Sequence, residues 1–209
     1  MRAVEAVIAK KYNIRFAKLG ATPEASLWFS EERQFLRFKI ISDVLDQALL
    51  GSKFSINDIG CGYGALFPYL IKRFPNKRFT YTGIDIAEKP INFCKDIYAE
   101  TNSIFKIGNI PNNNCDFSVM SGTYNYAPVQ SSHLWQRYLF ENLKKIWEIS
   151  DIGIIFNISV AKEARITSQN ISYFNKENVK SFCNDNLGKT SLFISDKLPK
   201  EATFFISRT

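Results

Sequence analysis

The residues best suited to chemistry form one loop, which reads Asn57-Asp58-Ile59-Gly60-Cys61-Gly62-Tyr63-Gly64. Its three glycines let the backbone turn sharply and approach a ligand closely, because no Cβ stands in the way. Asp58 places a carboxylate directly before them. A carboxylate at this position would repel the pyrophosphate of a dinucleotide, whereas it would attract a ligand that carries an ammonium group.

A second acid, Asp85, follows the next apolar run, in Gly83-Ile84-Asp85-Ile86. An acid at the end of the second strand of a nucleotide-binding sheet accepts hydrogen bonds from the ribose hydroxyls. Asp58 and Asp85 together therefore predict a ligand in which an adenosine, with its ribose diol, is joined to an amino-acid-like group.

Asp58 and Asp85 can bind one ligand only if their strands end at the same edge of a sheet. The hydrophobic pattern predicts such strands. Strands are predicted at 54–59, 78–84, 103–107, 116–120, 152–158, 191–195 and 202–207. Helices are predicted at 3–17, 30–50, 65–73, 89–98, 131–147 and 176–186, and a polar loop at 159–172. The alternation indicates an α/β fold: a doubly wound, Rossmann-like, mostly parallel seven-stranded sheet with an antiparallel last strand, helices on both faces and an N-terminal helical cap.

We expect a single domain over residues 1–209, with a helical cap or lid over 1–50 and the sheet core over 51–209. Tyr12, Trp28 and Phe29 bring aromatic rings to the cap, where they would close over a ligand. Trp28 could stack on an acceptor ring or serve only as packing.

The composition is that of a globular protein: 209 residues with 45% hydrophobic and 22% charged side chains, which excludes a disordered chain. A net charge of +7 is compatible with nucleic-acid binding, but the basic residues are spread from Arg2 to Arg208 without a block of like charges. The four cysteines form no C-x-x-C pair, so neither a metal site nor a disulfide framework is predicted. No segment approaches the roughly 20 apolar residues of a membrane span, so we expect a cytoplasmic protein with no membrane partner.

The glycine loop, the second acid and the order of elements resemble the class I S-adenosylmethionine-dependent methyltransferases. N-D-I-G-C-G-Y-G is similar to their first motif and Y-T-G-I-D-I to their acidic second motif, and the similarity extends from about Arg37 to the C-terminus. The resemblance implies S-adenosylmethionine as the cofactor. It also implies transfer of a methyl group to an oxygen or nitrogen of an acceptor, for which a small molecule is favoured.

The resemblance further implies a role for each residue of the loop. Asp58 would help to hold the amino group of the cofactor, and the backbone of Gly60, Cys61, Gly62 and Gly64 would line its methionine part. Arg37 resembles an arginine that some members use on the cofactor carboxylate, although a solvated helix arginine is the alternative.

For the nucleoside part, the resemblance implies that Asp85 binds the ribose and that Ile86 lies against the adenine. Asn109, followed by Ile110, stands where many members carry an Asp that binds the adenine amino group. The side-chain oxygen of Asn can accept the same hydrogen bond. Ser121, after the fourth strand, would face the methyl-bearing sulfur.

Few catalytic side chains are expected, because in-line methyl transfer mainly requires alignment and exclusion of water. An acceptor that must lose a proton would also need a base. Tyr124 and Tyr126 follow the fourth strand directly, and His133, the single histidine, lies at the start of the next predicted helix. Each also has a structural interpretation, as lid packing for the tyrosines and as a surface or capping residue for His133.

The absence of two sequence patterns and the length of the chain reduce the number of acceptor classes. No N-P-P-Y follows the fourth strand and no Pro-Cys is present, which disfavours base N-methylation and covalent cytosine methylation. About 100 residues after Asn109 complete the sheet, leaving little room for a recognition domain. An RNA or protein methyltransferase, a nucleotide-dependent oxidoreductase and a non-catalytic cofactor-binding protein remain alternatives.

Overall fold

A computed structural model, which describes residues 2–28, 30–49, 51 and 53–208, shows a seven-stranded sheet with helices on both faces. The strands of this sheet are β1 Lys53–Ile59, β2 Arg78–Asp85, β3 Ser103–Ile107, β4 Cys115–Ser121, β5 Ser150–Ser159, β8 Lys189–Phe193 and β9 Glu201–Ser207. Their order is β3-β2-β1-β4-β5-β9-β8. β9 runs antiparallel to both of its neighbours, β5 and β8, and the other pairs in this sheet are parallel. The predicted Rossmann-like sheet with an antiparallel last strand is confirmed.

The helices are α1 Arg2–Leu19, a 3₁₀ helix Pro23–Ser26, α2 Glu31–Ala48, α3 Leu66–Arg73, α4 Glu88–Ile97, α5 Ser132–Glu148 and α6 Lys176–Asn186. Side-chain caps fix two of the starts that the sequence predicts. The Ser30 hydroxyl accepts a hydrogen bond from the Arg33 amide, and the Ser131 hydroxyl accepts one from the Leu134 amide. Each cap satisfies an amide that has no partner inside its own helix.

The core lies on both sides of the sheet. On one side α2, α3 and α4 pack against the strands, with fully buried side chains such as Leu45, Leu70 and Ile91. On the other side α5 and α6 do the same through residues such as Leu139 and Val179. Burying an aliphatic side chain of this size contributes about 1.5–3 kcal/mol, so these two layers hold the strand ends in fixed positions.

The division of the chain at residue 50 is corrected by the position of α2. Phe38, Ile41 and Leu45 are buried in the first core layer, and α2 packs on β4, β5 and β9. Its apolar stripe is therefore a core face, and the helical cap is limited to α1 and the 3₁₀ segment within residues 2–28. Phe29, which we expected in the lid, lies outside the described residues.

The polar segment 159–172 is not entirely a loop. Two short strands, β6 Arg165–Ile166 and β7 Ser172–Tyr173, form an antiparallel pair within and beside it. Asn170 makes the turn between them with φ of +62°. A bridge from Ile171 to Tyr126 fixes this hairpin beside the segment that follows β4. Strands of two residues have no hydrophobic period for a sequence pattern to show.

The sheet has its switch point between β1 and β4, which are parallel neighbours although β2 and β3 separate them in the chain. The connections leaving these two strands go to opposite sides, so a crevice opens at their carboxyl ends. Within the described parts of the chain, no helix is both long enough and apolar enough to cross a membrane.

Candidate active site

The loop after β1 has a conformation that its glycines make possible. All three have positive φ: Gly60 +78°, Gly62 +55° and Gly64 +77°. A Cβ on Gly60 would lie 2.6 Å from Cγ2 of Thr123, so a side chain is also excluded by contact with the segment after β4. The amides of Gly60 and Cys61 both donate to the Ile84 carbonyl, at 2.7 and 3.1 Å. The loop is thus held against the end of β2, and its backbone lines the crevice.

Asp58 is a buried carboxyl group with a raised pKa. It is 2% exposed, and the Tyr81 hydroxyl donates a short hydrogen bond to its Oδ2. Burial raises the pKa of Asp58 to about 7, the nearby charge of Asp85 adds to this, and the hydrogen bond from Tyr81 opposes it. A cationic group placed beside Asp58 would favour its ionised form.

Asp85 ends β2 on the other side of the loop. Its Oδ2 accepts a hydrogen bond from the Gly62 amide at 3.0 Å, and its Oδ1 accepts one from the Ala87 amide at 2.8 Å. Burial raises the pKa of Asp85, while these backbone donors lower it. Each carboxylate oxygen keeps further acceptor capacity, so the group can bind two neighbouring hydroxyls.

These elements enclose a first cavity, which brings most of the predicted site residues together. The predicted residues in its lining are Asp58, Gly60, Cys61, Gly62, Asp85, Ile86, Asn109 and Ser121. Gly64 and Ile110 are outside it. A Cβ on Gly64 would meet Cys94 and Tyr98 at 3.0 Å, which shows that this glycine is packed against α4. Ile110 packs against the core layer of α5 and α6.

Asn109, in the lining of the first cavity, is held by a residue that local sequence patterns did not predict. Asn109 donates its Nδ2 to Oε1 of Glu5 at 2.7 Å, and the Tyr138 hydroxyl donates to the same oxygen at 2.7 Å. Glu5 belongs to α1, 104 positions before Asn109. No local pattern connects positions so far apart, so the partnership is visible only in the fold.

A second cavity lies beside the first, and the two share part of their lining. The shared residues are Tyr12, Ser26, Trp28, Ser121 and Gly122. Within the described ranges, the buried Ser121 hydroxyl has no hydrogen-bond partner. A buried polar atom without a partner is costly, and a molecule bound between the two cavities would supply the missing hydrogen bond.

Arg37 faces the second cavity, in an ion-pair cluster. Its Nε and Nη2 donate to the two carboxylate oxygens of Glu201 at 2.5 and 2.6 Å, and Arg33 Nη2 donates to Oε1 at 3.0 Å. The guanidinium carbon of Arg37 lies 3.9 Å from the ring centroid of Trp28. Arg37 does not line the first cavity, although the family resemblance would place the cofactor carboxylate that it binds there.

Known proteins were compared with this chain in sequence and in structure. No protein-family model matches. A protein of Mycobacterium tuberculosis, provisionally assigned as a methyltransferase, is 32% identical over 105 residues. The matched region is 50% of this chain and 62% of that protein, so the chain spans less than two thirds of the relative's length.

Among solved structures, magnesium protoporphyrin IX methyltransferase of Synechocystis PCC 6803, with bound S-adenosylhomocysteine (SAH), superimposes with a TM-score of 0.68. The identity is 12%, and the match covers 98% of this chain and 99% of that chain. A SAM-dependent methyltransferase of Leishmania major gives a TM-score of 0.66 at 13% identity, over 95% and 82% of the two chains. The chain has the class I S-adenosylmethionine-dependent methyltransferase fold.

The methyltransferase fold is also shared with an O-methyltransferase family 2 protein of Planctomyces limnophilus, solved in complex with apigenin. Its TM-score is 0.56 at 8% identity, and the match covers 77% of this chain and 52% of that chain. The resemblance that the glycine loop indicates is thereby confirmed at the level of the fold.

In the methyltransferase fold, the three catalytic candidates occupy different places. Tyr124 is buried and lines the first cavity, and burial raises its pKa, so its hydroxyl stays protonated. Tyr126 lines the second cavity, with its ring 6.1 Å from that of Tyr12. His133 is exposed in the first turn of α5 and lines neither cavity. The geometry therefore brings the two tyrosines to the site and leaves the histidine outside it.

Proposed function

We propose that the protein is an S-adenosylmethionine-dependent methyltransferase that acts on an oxygen or nitrogen of a small-molecule acceptor. The chief support is the pair of adjacent cavities that share Ser121 and Gly122 in their walls. A methyl donor in the first cavity and an acceptor in the second would meet at this boundary. Catalysis by alignment needs such an arrangement more than it needs reactive side chains.

The residues of the first cavity fit S-adenosylmethionine. Asp58, whose pKa is raised to about 7 by burial, would take the ammonium group. Asp85 would accept hydrogen bonds from the ribose diol, and the backbone of the glycine loop would line the methionine part. The unpartnered Ser121 hydroxyl is at the boundary where the sulfonium would lie. When bound, the cofactor supplies a methyl group on a positively charged sulfur.

The adenine subsite is assigned to Asn109 and Ile86, with Glu5 as an additional residue. Because Asn109 donates its Nδ2 to Glu5, its Oδ1 is the atom left to accept a hydrogen bond from the adenine amino group. Glu5 fixes that orientation, and it also ties α1 to the cavity. This assigns α1 a part in holding the nucleoside.

A small acceptor is favoured by the second cavity. Its volume is about 240 Å³, and it is lined by the rings of Tyr12, Trp28, Tyr126 and Tyr173. Magnesium protoporphyrin IX, named in the methyltransferase of one similar structure, and apigenin, bound in another, are also planar small molecules. The chain would contribute positioning and exclusion of water, since α1 and Trp28 cover the boundary between the cavities.

The test has two parts, both on the whole chain. Calorimetric titration with SAH and with NADH should show tight binding of SAH and none of NADH; the reverse result would overturn the proposal in favour of an oxidoreductase. Labelled methyl transfer from S-adenosylmethionine to cell extract should then put label in the small-molecule fraction. Label in RNA or protein would show that the acceptor is a macromolecule and not a small molecule. SAH binding without any transfer would indicate a non-catalytic binding protein.

A further inference from the structure

We propose that the second cavity binds the carboxylate group of its acceptor, so that the product is a methyl ester. The inference rests on the proposed methyltransferase function and names the acceptor class for the same site. It follows from the charges that line the cavity, from the position of one guanidinium nitrogen and from the protonation chemistry of the lining side chains.

The charged lining of the second cavity is cationic on balance. Arg33, Arg37 and Lys200 contribute positive charges, and Glu201 contributes the single negative charge among the described lining residues. Glu201 is 4% exposed and already accepts hydrogen bonds from both arginines. The cluster therefore retains positive charge in a partly dehydrated space, where an anion would be stabilised and a second cation would be repelled.

Arg37 directs this charge toward the place where the methyl group would arrive. Glu201 occupies its Nε and Nη2, which leaves Nη1 as the remaining donor nitrogen of the fork. A Cβ built on Gly122 would be 2.6 Å from Nη1, so this nitrogen lies against the wall shared by the two cavities. An acceptor carboxylate that binds Nη1 would have its oxygens at the boundary.

The side chains around this cavity are poor bases. Burial and the charge of Asp85 raise the pKa of Tyr12 far above its usual value, so its hydroxyl stays protonated. Glu201 is committed to two arginines, and among the described residues no histidine, aspartate or cysteine lines the cavity. A phenol or an ammonium group must lose a proton to react, whereas a carboxylate is already deprotonated at neutral pH.

The reaction balances without a proton. A bond forms between one carboxylate oxygen and the methyl carbon, and the bond from that carbon to sulfur breaks with its electron pair passing to the sulfur. The carboxylate loses its negative charge and the sulfonium loses its positive charge. The body of the acceptor would occupy the aromatic part of the second cavity. The volume of this cavity, about 240 Å³, exceeds the roughly 150 Å³ of a cavity known to accept benzene.

The first experiment measures recognition of charge in the absence of turnover. The SAH-bound protein is titrated by NMR with benzoate and with benzamide, which has nearly the same shape and no charge. We expect benzoate to bind at least about tenfold more tightly, the size of one charge-assisted hydrogen bond. Equal affinities would overturn the proposal, while the binding of SAH itself, measured beforehand, tests the methyltransferase function separately.

The second experiment compares variants. Lys200→Gln should weaken benzoate binding about threefold, the effect of one exposed charge, and Lys197→Gln, an exposed neighbour outside the cavity, should not. Arg37→Lys should raise the KM of the acceptor about tenfold or more, since a lysine cannot reproduce the fork, and leave the Kd of SAH unchanged. A weaker Kd for SAH in Arg37→Lys would overturn the proposal and assign Arg37 to the cofactor carboxylate.

The third experiment identifies the bond that is made. Labelled product from the small-molecule fraction is treated with mild alkali, which hydrolyses a methyl ester and releases labelled methanol. Volatile label supports the proposal, and an alkali-stable product overturns it while leaving methyltransferase activity established. If the protein binds SAH but transfers no label to any fraction, both the carboxylate assignment and the enzymatic function fail.

Discussion

Asp58 and Asp85 lie at the ends of adjacent strands, yet the two carboxyl groups differ in their hydrogen-bond donors and in their burial. Asp85 receives two backbone hydrogen bonds, whereas Asp58 receives one from the Tyr81 hydroxyl and is almost completely buried. Backbone donors stabilise the carboxylate of Asp85, so it is prepared to bind neutral hydroxyls. Asp58 lacks comparable compensation and is better matched to a cation.

Binding of SAH should therefore depend on pH. In the free protein Asp58 is increasingly protonated below its pKa of about 7, and an ammonium ligand needs the ionised form. The affinity for SAH should fall as the pH drops from about 8 to 6, by up to tenfold per unit below the pKa. Calorimetry at the two pH values measures this, and Asp58→Asn should bind weakly with little pH dependence. Equal wild-type affinities at pH 6 and 8 would contradict the assignment.

Replacing Asp85 should remove the ribose contacts and leave the fold intact. Two hydrogen bonds to a charged group are each worth about 1.5–3 kcal/mol, so Asp85→Ala should weaken SAH binding by about a hundredfold or more. Asp96→Ala, an exposed aspartate on α4, is the matched control and should bind normally. Thermal unfolding of both variants checks that the domain remains folded. Unchanged affinity in Asp85→Ala would show that the ribose lies elsewhere.

At the level of elements, local patterns predicted what depends on local sequence. The strands that end in Asp58 and Asp85, and the helix starts at Ser30 and Ser131, were found because apolar runs and capping residues lie within a few positions. The same reasoning placed α2 in the cap, because the apolar stripe of an amphipathic helix does not identify the element against which it packs. Glu201 was missed because its partner Arg37 is 164 positions away.

The helix α1 has the contacts expected of a lid. None of its residues is fully buried, and the contacts that hold it include Glu5 to Asn109, Tyr12 to Tyr126, Phe16 to Phe93 and Asn13 to the Lys89 amide. Elements with so little buried surface open at low free energy. Such a helix can admit a nucleoside and then close over it.

Hydrogen exchange can test this movement. We expect the amides of α1 to exchange quickly in the free protein and at least about tenfold more slowly once SAH is bound, because the ligand would add contacts to Ile8 and Tyr12, which line the first cavity. The amides of α5, whose Leu139 and Leu143 are fully buried, serve as the internal reference and should change little. Protection of α1 that is the same with and without SAH would show that it is not a lid.

The whole molecule carries a net charge of +7, and ion pairs neutralise part of its basic surface. On the side of α2 and α3 the basic residues are paired with acids, as in Lys39 with Asp43 and Arg73 and Lys77 with Asp46. Arg33 and Lys200 lie at the second cavity, where Arg33 pairs with Glu201. The positive charge at this cavity suits a small anion that can enter it.

Binding of RNA should accordingly be weak. At physiological salt we expect the Kd for RNA to lie in or above the range of non-specific binding, roughly 10⁻⁴–10⁻⁶ M. We also expect this Kd to depend only weakly on salt. Fluorescence anisotropy with a labelled single-stranded RNA at several salt concentrations measures both. Submicromolar binding that falls steeply with salt would favour the RNA methyltransferase instead.

The order of strands also governs when the site can assemble. β9 carries Glu201 and is last in the chain, yet it lies between β5 and β8 inside the sheet. The glycine loop can form as soon as β1, β2 and β4 have paired, but Arg37 has no counter-ion until β9 inserts, and pairings this distant form slowly. During synthesis or refolding, a cradle for the cofactor would exist before any pocket for the acceptor, and unfolding that begins at the edge strand β8 and continues to β9 would reverse that order.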